Sequence, residues 1–569
     1  MLALLLSLIL LCIPGQVHAI YDPASVSNNK FGVHVADFND IADVAPLVNS
    51  SGGDWGYVTV VASDNDRKSD KWQQLFNEMR RLHLIPLVRL ATHLDGASWE
   101  KPNPDRYGEI VSFLNALNWP TENRYVILYN EPNHANEWGN SLDPEGYADV
   151  AVQLAKKFKA ASEDFFILPA GLDASAMSDG LTMDEAEFLR RMVAAKPELM
   201  SLWDGWTSHS YPNPGFSGSP YATGRGTLKT YEWELAYLQQ LGLTKSLPIF
   251  ITETGWVHSQ GQSVQSRLAS PETVGSFLQA AAMGAWKDSR IIAITPFIFN
   301  YQGEPFDHFS WKKLGSGEFY PLYYSYKDIQ KVSGHPKQHE QYILSSSILP
   351  SELVANSTYT LSVGIKNTGQ GILNQNDGYQ LALIGEKSGF GFFPQPVPTL
   401  EPGDKDTITI FLKTPQKAGT YRVELILEHY GQSIHLESTD LRVVPPPEVK
   451  IHAQLGWKKT DDANDVTILV YGSRETLLHK FTGLTMRRGE VSVKGLTNIV
   501  PGEKYRIVIL VPHYLPRQTV ASIGSKVTNI RAKRFLPLDI NNDGKFTLAD
   551  ILLLLETPPR VILMRFISL

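Results

Sequence analysis

Runs of β-forming residues alternate with amphipathic helical segments from about residue 30 to residue 330 of this 569-residue chain. The first and last candidate strands begin at Phe31 and Ile291, which are 260 residues apart, about 37 residues for each of seven repeats. Eight β–α units of this size predict a (β/α)8 TIM barrel. A doubly wound open sheet is the alternative, but no Gly-rich phosphate-binding loop follows the first strand. The candidate strands are Phe31–Ala36, Gly56–Ala62, Ile85–Leu90, Tyr125–Tyr129, Phe165–Pro169, Gly205–His209, Pro248–Thr252 and Ile291–Phe299.

Helical segments are expected between these strands. The clearest is Asp70–Leu82, where Trp72, Phe76 and Met79 are among the apolar residues that recur on one face. The others are Tyr107–Leu117, Pro144–Phe158, Asp184–Ala195, Thr230–Gln240 and Pro271–Trp286.

Two of the candidate strands end abruptly in a glutamate. Tyr125–Tyr129 leads into Glu131, and Pro248–Thr252 leads into Glu253. A carboxylate at the tip of a buried strand is costly to hold, and in a parallel barrel that tip is where catalytic residues lie. The two glutamates are 122 residues apart, or about three repeats. We therefore expect them to face each other across the mouth of the barrel.

The residues around these glutamates resemble clan A of the glycoside hydrolases, which contains retaining cellulases, mannanases, xylosidases and galactanases. The similarity lies in Asn-Glu-Pro around Glu131 and Glu-Thr-Gly-Trp from Glu253, and it covers about residues 30–330. It implies that Glu131 is the acid/base and Glu253 the nucleophile. Retaining hydrolysis needs two carboxyl groups about 5–5.5 Å apart, one ionised and one protonated. A retaining O-glycosidase is thus expected, with a non-catalytic carbohydrate-binding or cell-surface scaffold protein, or a transglycosidase, as alternatives.

The resemblance also implies roles for neighbouring strand-end residues. Asn130 is expected to bond a sugar 2-hydroxyl, and His209 and Tyr211, after the sixth strand, to orient the nucleophile. Arg89 ends the third candidate strand and is expected to keep the nucleophile ionised, with an ordinary ion pair as the alternative. The clan commonly carries this arginine on its second strand.

Further candidates for sugar contact lie in the loops at the same strand ends. Trp256 and Trp138 could stack on a sugar ring, with core packing as the alternative for each, and Asn133 and His134 extend the Glu131 motif toward the cleft. The tryptophan common at the end of the eighth strand in the clan is missing. Phe299, Asn300 or Tyr301 is the expected replacement; His34, Asp37 and the loop Tyr211–Arg225 are weaker candidates.

The barrel is expected to span residues 20–335 and to be followed by β-rich modules. Alternating segments separated by turn residues predict an immunoglobulin-like sandwich over residues 343–444. After the proline-rich linker Val444–Pro447, residues 448–536 resemble a prealbumin-like β-sandwich, with an undifferentiated sandwich as the alternative. Neither segment contains a catalytic constellation.

A calcium-binding loop is predicted within residues 537–557. Oxygen-bearing side chains occupy positions 1, 3, 5, 9 and 12 of the loop, glycine is at position 6, and position 7 would contribute its carbonyl. The loop resembles one repeat of a dockerin, which implies a cohesin-type partner, although dockerins normally carry two repeats. No cofactor is expected for catalysis. The expected calcium ligands are Asp539, Asn541, Asp543, Lys545, Thr547 and Asp550.

Charge and the N-terminal sequence bear on partners and location. The net charge is −7 without a basic stripe, which argues against nucleic acid as a partner. Residues 1–19 are mostly apolar and end in Val-His-Ala, which predicts a signal peptide cut after Ala19; an uncleaved anchor is the alternative. Cys12 is the sole cysteine, so the mature chain would contain no disulfide. A protein secreted or held at the cell surface by bacterial-type export, outside the membrane after cleavage, is expected.

Overall fold

The computed structural model describes residues 20–347, 349–385, 389–429 and 431–556. The predicted signal segment, residues 1–19, lies outside the described residues. Within the described part, the chain forms two compact units. The first ends at Glu340 and includes Gly369–Ile372, and the second comprises Gln341–Thr368 and the chain from Leu373 onward.

The first unit is a (β/α)-type domain in which parallel strands alternate with helices. Each predicted strand corresponds to a strand of the structure, and the largest difference is in the last, which ends at Ile294 rather than Phe299. The strands in residues 20–340 are β1 (Gly32–His34), β2 (Gly56–Ala62), β3 (Leu84–Leu90), β4 (Arg124–Ile127), β5 (Phe165–Leu168), β6 (Trp206–His209), β7 (Ile249–Glu253) and β8 (Ile291–Ile294), besides a short hairpin of Leu94–Asp95 and Ser98–Trp99.

Strands that follow one another in the sequence are also neighbours in the sheets. β1 to β5 pair in parallel in chain order, and so do β6 to β8. Isolated parallel bridges continue this order at the sheet edges, where Phe31 pairs with Ile294 and Asp173 with His209. Because the strands are parallel, their carboxyl ends lie on the same side of the domain.

Helices connect these strands, and the predicted helices are present with ends shifted by at most a few residues. The sequence pattern did not predict three further helices, Ile41–Val48, Leu199–Leu202 and Pro321–Lys327. In the first of these, Pro46 lies inside the helix and removes a backbone donor. The helices of this unit in the described residues are α1 (Ile41–Val48), α2 (Ser69–Arg81), α3 (Tyr107–Ala116), α4 (Pro144–Ala161), α5 (Glu185–Ala195), α6 (Leu199–Leu202), α7 (Thr230–Gln240), α8 (Pro271–Met283) and α9 (Pro321–Lys327).

Both faces of the parallel strands are buried. Successive side chains point to opposite faces, so that Tyr57, Tyr125 and Phe250 join one cluster while Val58 and Val126 join the cluster that packs against the helices. The rings of Tyr125 and Phe250 are 5.4 Å apart. Burial on both faces explains why the strands are almost continuously apolar in the sequence.

The second unit is β-rich and begins with strands from residues 342–444. The strands Tyr342–Ser347, Thr358–Asn367, Lys405–Lys413 and Gly391–Phe392 form one sheet. Another contains Glu352–Val354, Gln432–Val444, Gly419–His429, Gln380–Ile384 and Gln395–Pro396. Residues of both sheets, such as Val363 and Leu425, share one hydrophobic core, which is the packing of a β-sandwich.

A further pair of sheets lies between residues 448 and 531. Glu490–Val493, Glu448–His452 and Val527–Arg531 form one, and Leu477–Met486, Ala463–Tyr471, Lys504–Val511 and Tyr514–Ser522 form the other. Val449 and Ile509 belong to the core between them. The chain continues to α10 (Leu548–Glu556). None of the helices in the described part of the chain combines the length and hydropathy needed to cross a membrane.

Candidate active site

Glu131 lies just beyond the carboxyl end of β4 on a tightly constrained turn. The φ angles of Tyr129 and Glu131 are 74° and 30°, in a region that costs a non-glycine residue about 1–3 kcal/mol and that is enriched at functional sites. The backbone N–H of Glu131 donates to the carbonyl of Gly171, after β5, at 3.1 Å. The turn leaves the Glu131 side chain 20% exposed, so its carboxyl is accessible from solvent.

The register of β6 and β7 brings the second glutamate close to the first. His209 and Glu253 are the last residues of these strands, and they pair across the parallel ladder. A carboxyl oxygen of Glu131, a ring nitrogen of His209 and a carboxyl oxygen of Glu253 all lie within 4.8 Å of one another. Side chains separated by up to 122 residues in the sequence thus converge at one point.

Glu253 is buried and is held by Arg89 and Tyr211. Arg89 Nη1 donates to Glu253 Oε1 at 2.5 Å, and the Tyr211 hydroxyl donates to Oε2 at 3.0 Å. Burial by itself raises the pKa of Glu253, but the charges of His209 and Arg89 and the hydrogen bond from Tyr211 outweigh it and lower the pKa to about 2. Glu253 is therefore a carboxylate at neutral pH.

The sequence predicts that His209 orients the nucleophile candidate Glu253. In the structure, His209 instead forms its hydrogen bond with Glu131. Its Nδ1 is 2.7 Å from Glu131 Oε1 and 3.8 Å from Glu253 Oε2. Burial lowers the pKa of His209, but the Glu253 charge and the bond to Glu131 raise it overall above the ordinary value of 6.5. A hydrogen bond between the Nδ1 and a carboxyl oxygen requires one proton between them. The Glu131–His209 pair therefore holds a proton beside the ionised Glu253.

Asn130 connects Arg89 to a carboxyl that the sequence reasoning missed. Asn130 Oδ1 accepts a hydrogen bond from Arg89 Nη1 at 2.7 Å, and its Nδ2 donates to Glu137 Oε2 at 3.3 Å. Burial and the charge of Glu131 raise the pKa of Glu137 to about 7. The one sequence signal for Glu137 was its place six residues after Glu131, on the short 3-10 turn Ala135–Glu137.

His34, at the end of β1, is buried beside the same charges. It is 2% exposed, and neither ring nitrogen has a hydrogen-bond partner in the described residues. Burial and the Arg89 charge lower the pKa of His34 to about 3, so the ring is neutral. Its ring centroid is 5.2 Å from that of Phe297, the partly buried aromatic residue that follows β8. The expected replacement Phe299 is instead fully buried in the core.

The structure corrects the prediction that Trp138 and Trp256 stack on a sugar ring, because both side chains are buried. Trp138 is 1% exposed, and its ring packs edge-on against Tyr129 and Tyr147. Trp256 is 3% exposed, and its indole N–H donates to the carbonyl of Gly218 at 2.8 Å. Neither ring offers a free face to a sugar, so Trp138 stabilises the turn after β4 and Trp256 fixes the loop after β6.

The structure also corrects the prediction that Asn133 extends toward the substrate cleft. Its side chain is fully buried, and its amide nitrogen donates to the carbonyls of Asp173 and Met183. It therefore links the segments after β4 and β5 and does not line the cleft. The neighbouring His134 is partly exposed, and its Nε2 is 3.0 Å from Asp173 Oδ2.

The remaining candidates have local partners. Asp37 accepts the backbone N–H of Asn39 and caps a short turn, and Asn300 donates to Asp40. Tyr301 packs edge-on against Phe306. None of these contacts reaches the pair of glutamates.

Glu131, His209 and Glu253 also have the spacing of a metal-binding cluster. The Arg89 guanidinium, however, is in contact with Glu253 at 2.5 Å and adds a fixed positive charge. That charge opposes a divalent cation bound to the same carboxylate. The residues present suit paired-carboxyl chemistry better than metal binding.

The predicted calcium loop is folded around its acidic residues. Asp539 Oδ2 accepts the N–H of Gly544, and Asp550 accepts the N–H groups of Ile540, Asn541 and Thr547. Asp539 is 4% exposed, and its other oxygen, Oδ1, has no hydrogen-bond partner in the described residues. An unpartnered buried carboxylate oxygen at loop position 1 fits a bound cation. Asn541, Asp543 and Lys545 form successive turns of the loop, and Thr547 bonds Asp550.

No protein-family model and no curated protein matches the chain. Among solved structures, an FMN-binding β-glucuronidase from Facaelibacterium prausnitzii L2-6 is 11% identical with a TM-score of 0.35, over 73% of this chain and 56% of that one. A family 39 glycoside hydrolase from Bacteroides cellulosilyticus WH2 is 12% identical with a TM-score of 0.39, over 69% and 82%. A β-mannanase from Thermomonospora fusca is 13% identical with a TM-score of 0.34, over 53% and 91%. Similarities this distant assign no function.

Substitution of Gly171 tests the close packing behind the site. A Cβ at this position would overlap the ring of His209, so Gly171→Ala should lower the free energy of unfolding by about 1–3 kcal/mol. Gly108→Ala in α3, where a Cβ meets open space, is the control and should raise it by about 0.5–1 kcal/mol. Urea denaturation measures both; an equally stable Gly171→Ala would contradict this packing.

Proposed function

We propose that the chain is a retaining glycoside hydrolase with Glu253 as nucleophile and Glu131 as acid/base. The observation that carries the proposal is the approach of their carboxyl oxygens to within 4.8 Å. Retaining enzymes hold their carboxyl groups about 5–5.5 Å apart, whereas inverting enzymes need about 6.5–9.5 Å to admit a water. The different environments of the two groups also suit their separate roles.

In the first step, the ionised Glu253 attacks the anomeric carbon of the bound sugar. The bond between that carbon and the glycosidic oxygen breaks, and the leaving oxygen takes the proton held between Glu131 Oε1 and His209 Nδ1, which are 2.7 Å apart. Arg89 and Tyr211 keep Glu253 ionised and oriented until it forms the covalent bond. The product of the step is a glycosyl ester on Glu253.

In the second step, Glu131 acts as a base. Its carboxylate takes a proton from a water molecule, whose oxygen attacks the anomeric carbon and displaces Glu253. The proton returns to the Glu131–His209 pair, and the two inversions give net retention. The exposed fraction of Glu131, 20%, allows a water molecule to approach it.

Asn130 is proposed to contact the sugar, because one of its two amide N–H groups is bonded to Glu137 and the other remains available.

We further propose that β1 to β8 form a closed (β/α)8 barrel, supported by the Phe31–Ile294 and Asp173–His209 bridges. The substrate is proposed to be an oligo- or polysaccharide, and export through residues 1–19 remains part of the proposal.

A non-catalytic carbohydrate-binding protein is the second candidate. Binding alone does not require the buried Arg89–Glu253 pair or a proton between Glu131 and His209, so these contacts favour the enzyme. A transglycosidase would use the same carboxyl groups and would differ in transferring the sugar to an acceptor other than water.

The loop 539–550 is proposed to bind Ca²⁺ with the ligands predicted from its sequence. Support comes from the unpartnered Oδ1 of the buried Asp539 within the described residues. Asp539, Asn541 and Asp543 would supply side-chain oxygens and Lys545 its carbonyl, while Thr547 and Asp550 would complete the set. A cohesin-type partner is a further proposal that rests on the loop's resemblance to a dockerin repeat.

Removal of the nucleophile tests the proposed reaction. Glu253→Gln should reduce turnover of an activated aryl glycoside on the order of 10⁴-fold or more without loss of the fold. Glu232→Gln, on the exposed side of α7, is the control and should leave turnover unchanged. Proton NMR of the first-formed sugar should show the substrate's own anomeric configuration, and inversion would contradict the mechanism.

Removal of the acid/base tests its separate role. Glu131→Ala should slow glycosides with poor leaving groups by roughly 10²–10⁴-fold and slow those with good leaving groups less. Azide should restore turnover of the latter because it can attack the glycosyl ester without general base assistance. Equal slowing of both substrate classes would count against the assignment of Glu131.

Tyr211→Phe tests how Glu253 is kept ionised. Because the hydrogen bond to the charged carboxylate lowers the pKa of Glu253, its loss should raise that pKa by about 1–2 units. On acidification, the variant would then lose activity at a higher pH than the wild type. The acid limb of the pH profile of kcat/KM measures this shift. The control is Tyr221→Phe, a 78% exposed residue of the same loop; an unshifted limb for Tyr211→Phe would contradict its role.

Calcium should stabilise the second unit through the 539–550 loop. At a Ca²⁺ concentration 100 times Kd, the gain in unfolding free energy is about 2.7 kcal/mol. Asp539→Ala should abolish the rise in Tm on adding Ca²⁺, while the exposed control Asp440→Ala should retain it. Calorimetry with Ca²⁺ or with a chelator decides the point, and identical melting of the wild type in both would refute the site.

A further inference from the structure

A third carboxyl, that of Glu137, is connected to the site through Asn130 and takes no part in the proposed reaction. It is partly buried on the 3-10 turn Ala135–Glu137. In the described residues, its carboxyl has a single side-chain hydrogen bond, from Asn130 Nδ2 at 3.3 Å, and no cationic nitrogen within 4.0 Å. A partly buried carboxyl without a cation is costly, which suggests that it serves the site.

Hydrogen bonds connect Glu137 to the nucleophile through Arg89 and Asn130. Arg89 Nη1 donates to both Glu253 Oε1 and Asn130 Oδ1, and Asn130 Nδ2 donates onward to Glu137. A flipped Asn130 amide would point its N–H groups at the guanidinium and its oxygen at the carboxylate. Arg89 and Glu137 together therefore fix one orientation of the amide, the one that leaves a second N–H free.

The charged groups around Glu137 come from several elements. Burial and the Glu131 charge raise the pKa of Glu137 to about 7, the Glu253 charge adds to this, and Arg89 and the bond from Asn130 oppose it. His134, which bonds Asp173, also feels the charge of Glu137.

We infer that Glu137 is a positioning residue for the glycosidase reaction, holding the Asn130 amide toward the bound sugar. The inference rests on the proposed function, since it concerns how that site is prepared for the first step. It assigns to Glu137 an effect through Asn130, with no contact to the sugar required.

The first test separates the charge of Glu137 from its hydrogen bond. Glu137→Gln keeps an acceptor for Asn130 but removes the charge, so kcat/KM for an aryl glycoside should stay within about twofold of the wild type. Glu109→Gln, a 60% exposed residue of α3, is the matched control and should leave kcat/KM unchanged. A Glu137→Gln variant that loses as much kcat/KM as Glu137→Ala would show that the hydrogen bond is not what matters and would overturn the positioning role.

The second test is a double-mutant cycle with Asn130. Glu137→Ala should lower kcat/KM for an aryl glycoside about tenfold in the wild-type background, since an amide that is no longer held loses its orientation. In an Asn130→Ala background the same substitution should have no further effect. Equal losses in both backgrounds would mean that Glu137 does not act through Asn130.

A third measurement does not depend on activity. The raised pKa of Glu137 makes its ionisation unfavourable in the folded state. The free energy of unfolding should therefore be highest below about pH 4.5 as far as Glu137 is concerned, and it should fall as the pH rises through about 7. Glu137→Gln should therefore raise Tm at pH 8 relative to the wild type and leave it unchanged at pH 4. Equal Tm differences at both pH values would contradict a Glu137 that ionises in this environment. A wild-type chain inactive on every glycoside would refute the proposed function, while this measurement would still decide whether Glu137 carries a charge there.

Discussion

The buried ion pair between Arg89 and Glu253 is the interaction on which the site depends. Both side chains are largely inaccessible, with exposures of 13% and 9%. A carboxylate removed from water costs several kcal/mol unless a charge and hydrogen bonds compensate it. Arg89 provides the charge, and Tyr211 provides a further hydrogen bond. Because these residues come from β3, β7 and the loop after β6, the ionised nucleophile exists only while those elements keep their register.

The two central carboxyl groups differ because their surroundings differ. Glu253 is enclosed by positive charge and is held ionised. Glu131 is more exposed and shares a proton with His209. Glycosidases of the retaining type need this asymmetry, since a pair of identical carboxyl groups could not serve as nucleophile and acid in the same step. The positive φ angles of Tyr129 and Glu131 indicate that backbone strain is tolerated in order to place the second group.

The sequence predicted a helix correctly where the helical pattern lies within the segment itself. Thr230–Gln240 was predicted with the ends that the structure shows, whereas Ile41–Val48 was missed because Pro46 weakens the helical pattern. The type of a residue was a poor guide to its exposure. Trp138 and Trp256 were expected to contact sugar, but Trp138 is covered by Tyr129 and Tyr147, and Trp256 packs against Phe277 and bonds Gly218. Glu137 was overlooked because its significance depends on Asn130 and Arg89 being near it.

The sequence alone determined the order of strands and helices in the first unit and the presence of Glu131 and Glu253 at strand ends. Those properties follow from hydrophobic patterning over a few residues. The tertiary structure decided that Arg89 meets Glu253, that His209 bonds Glu131, and that Asn130 bridges Arg89 and a third carboxyl, that of Glu137. These contacts join residues up to 164 positions apart. They are set by strand register and by the packing of side chains, which no local pattern encodes.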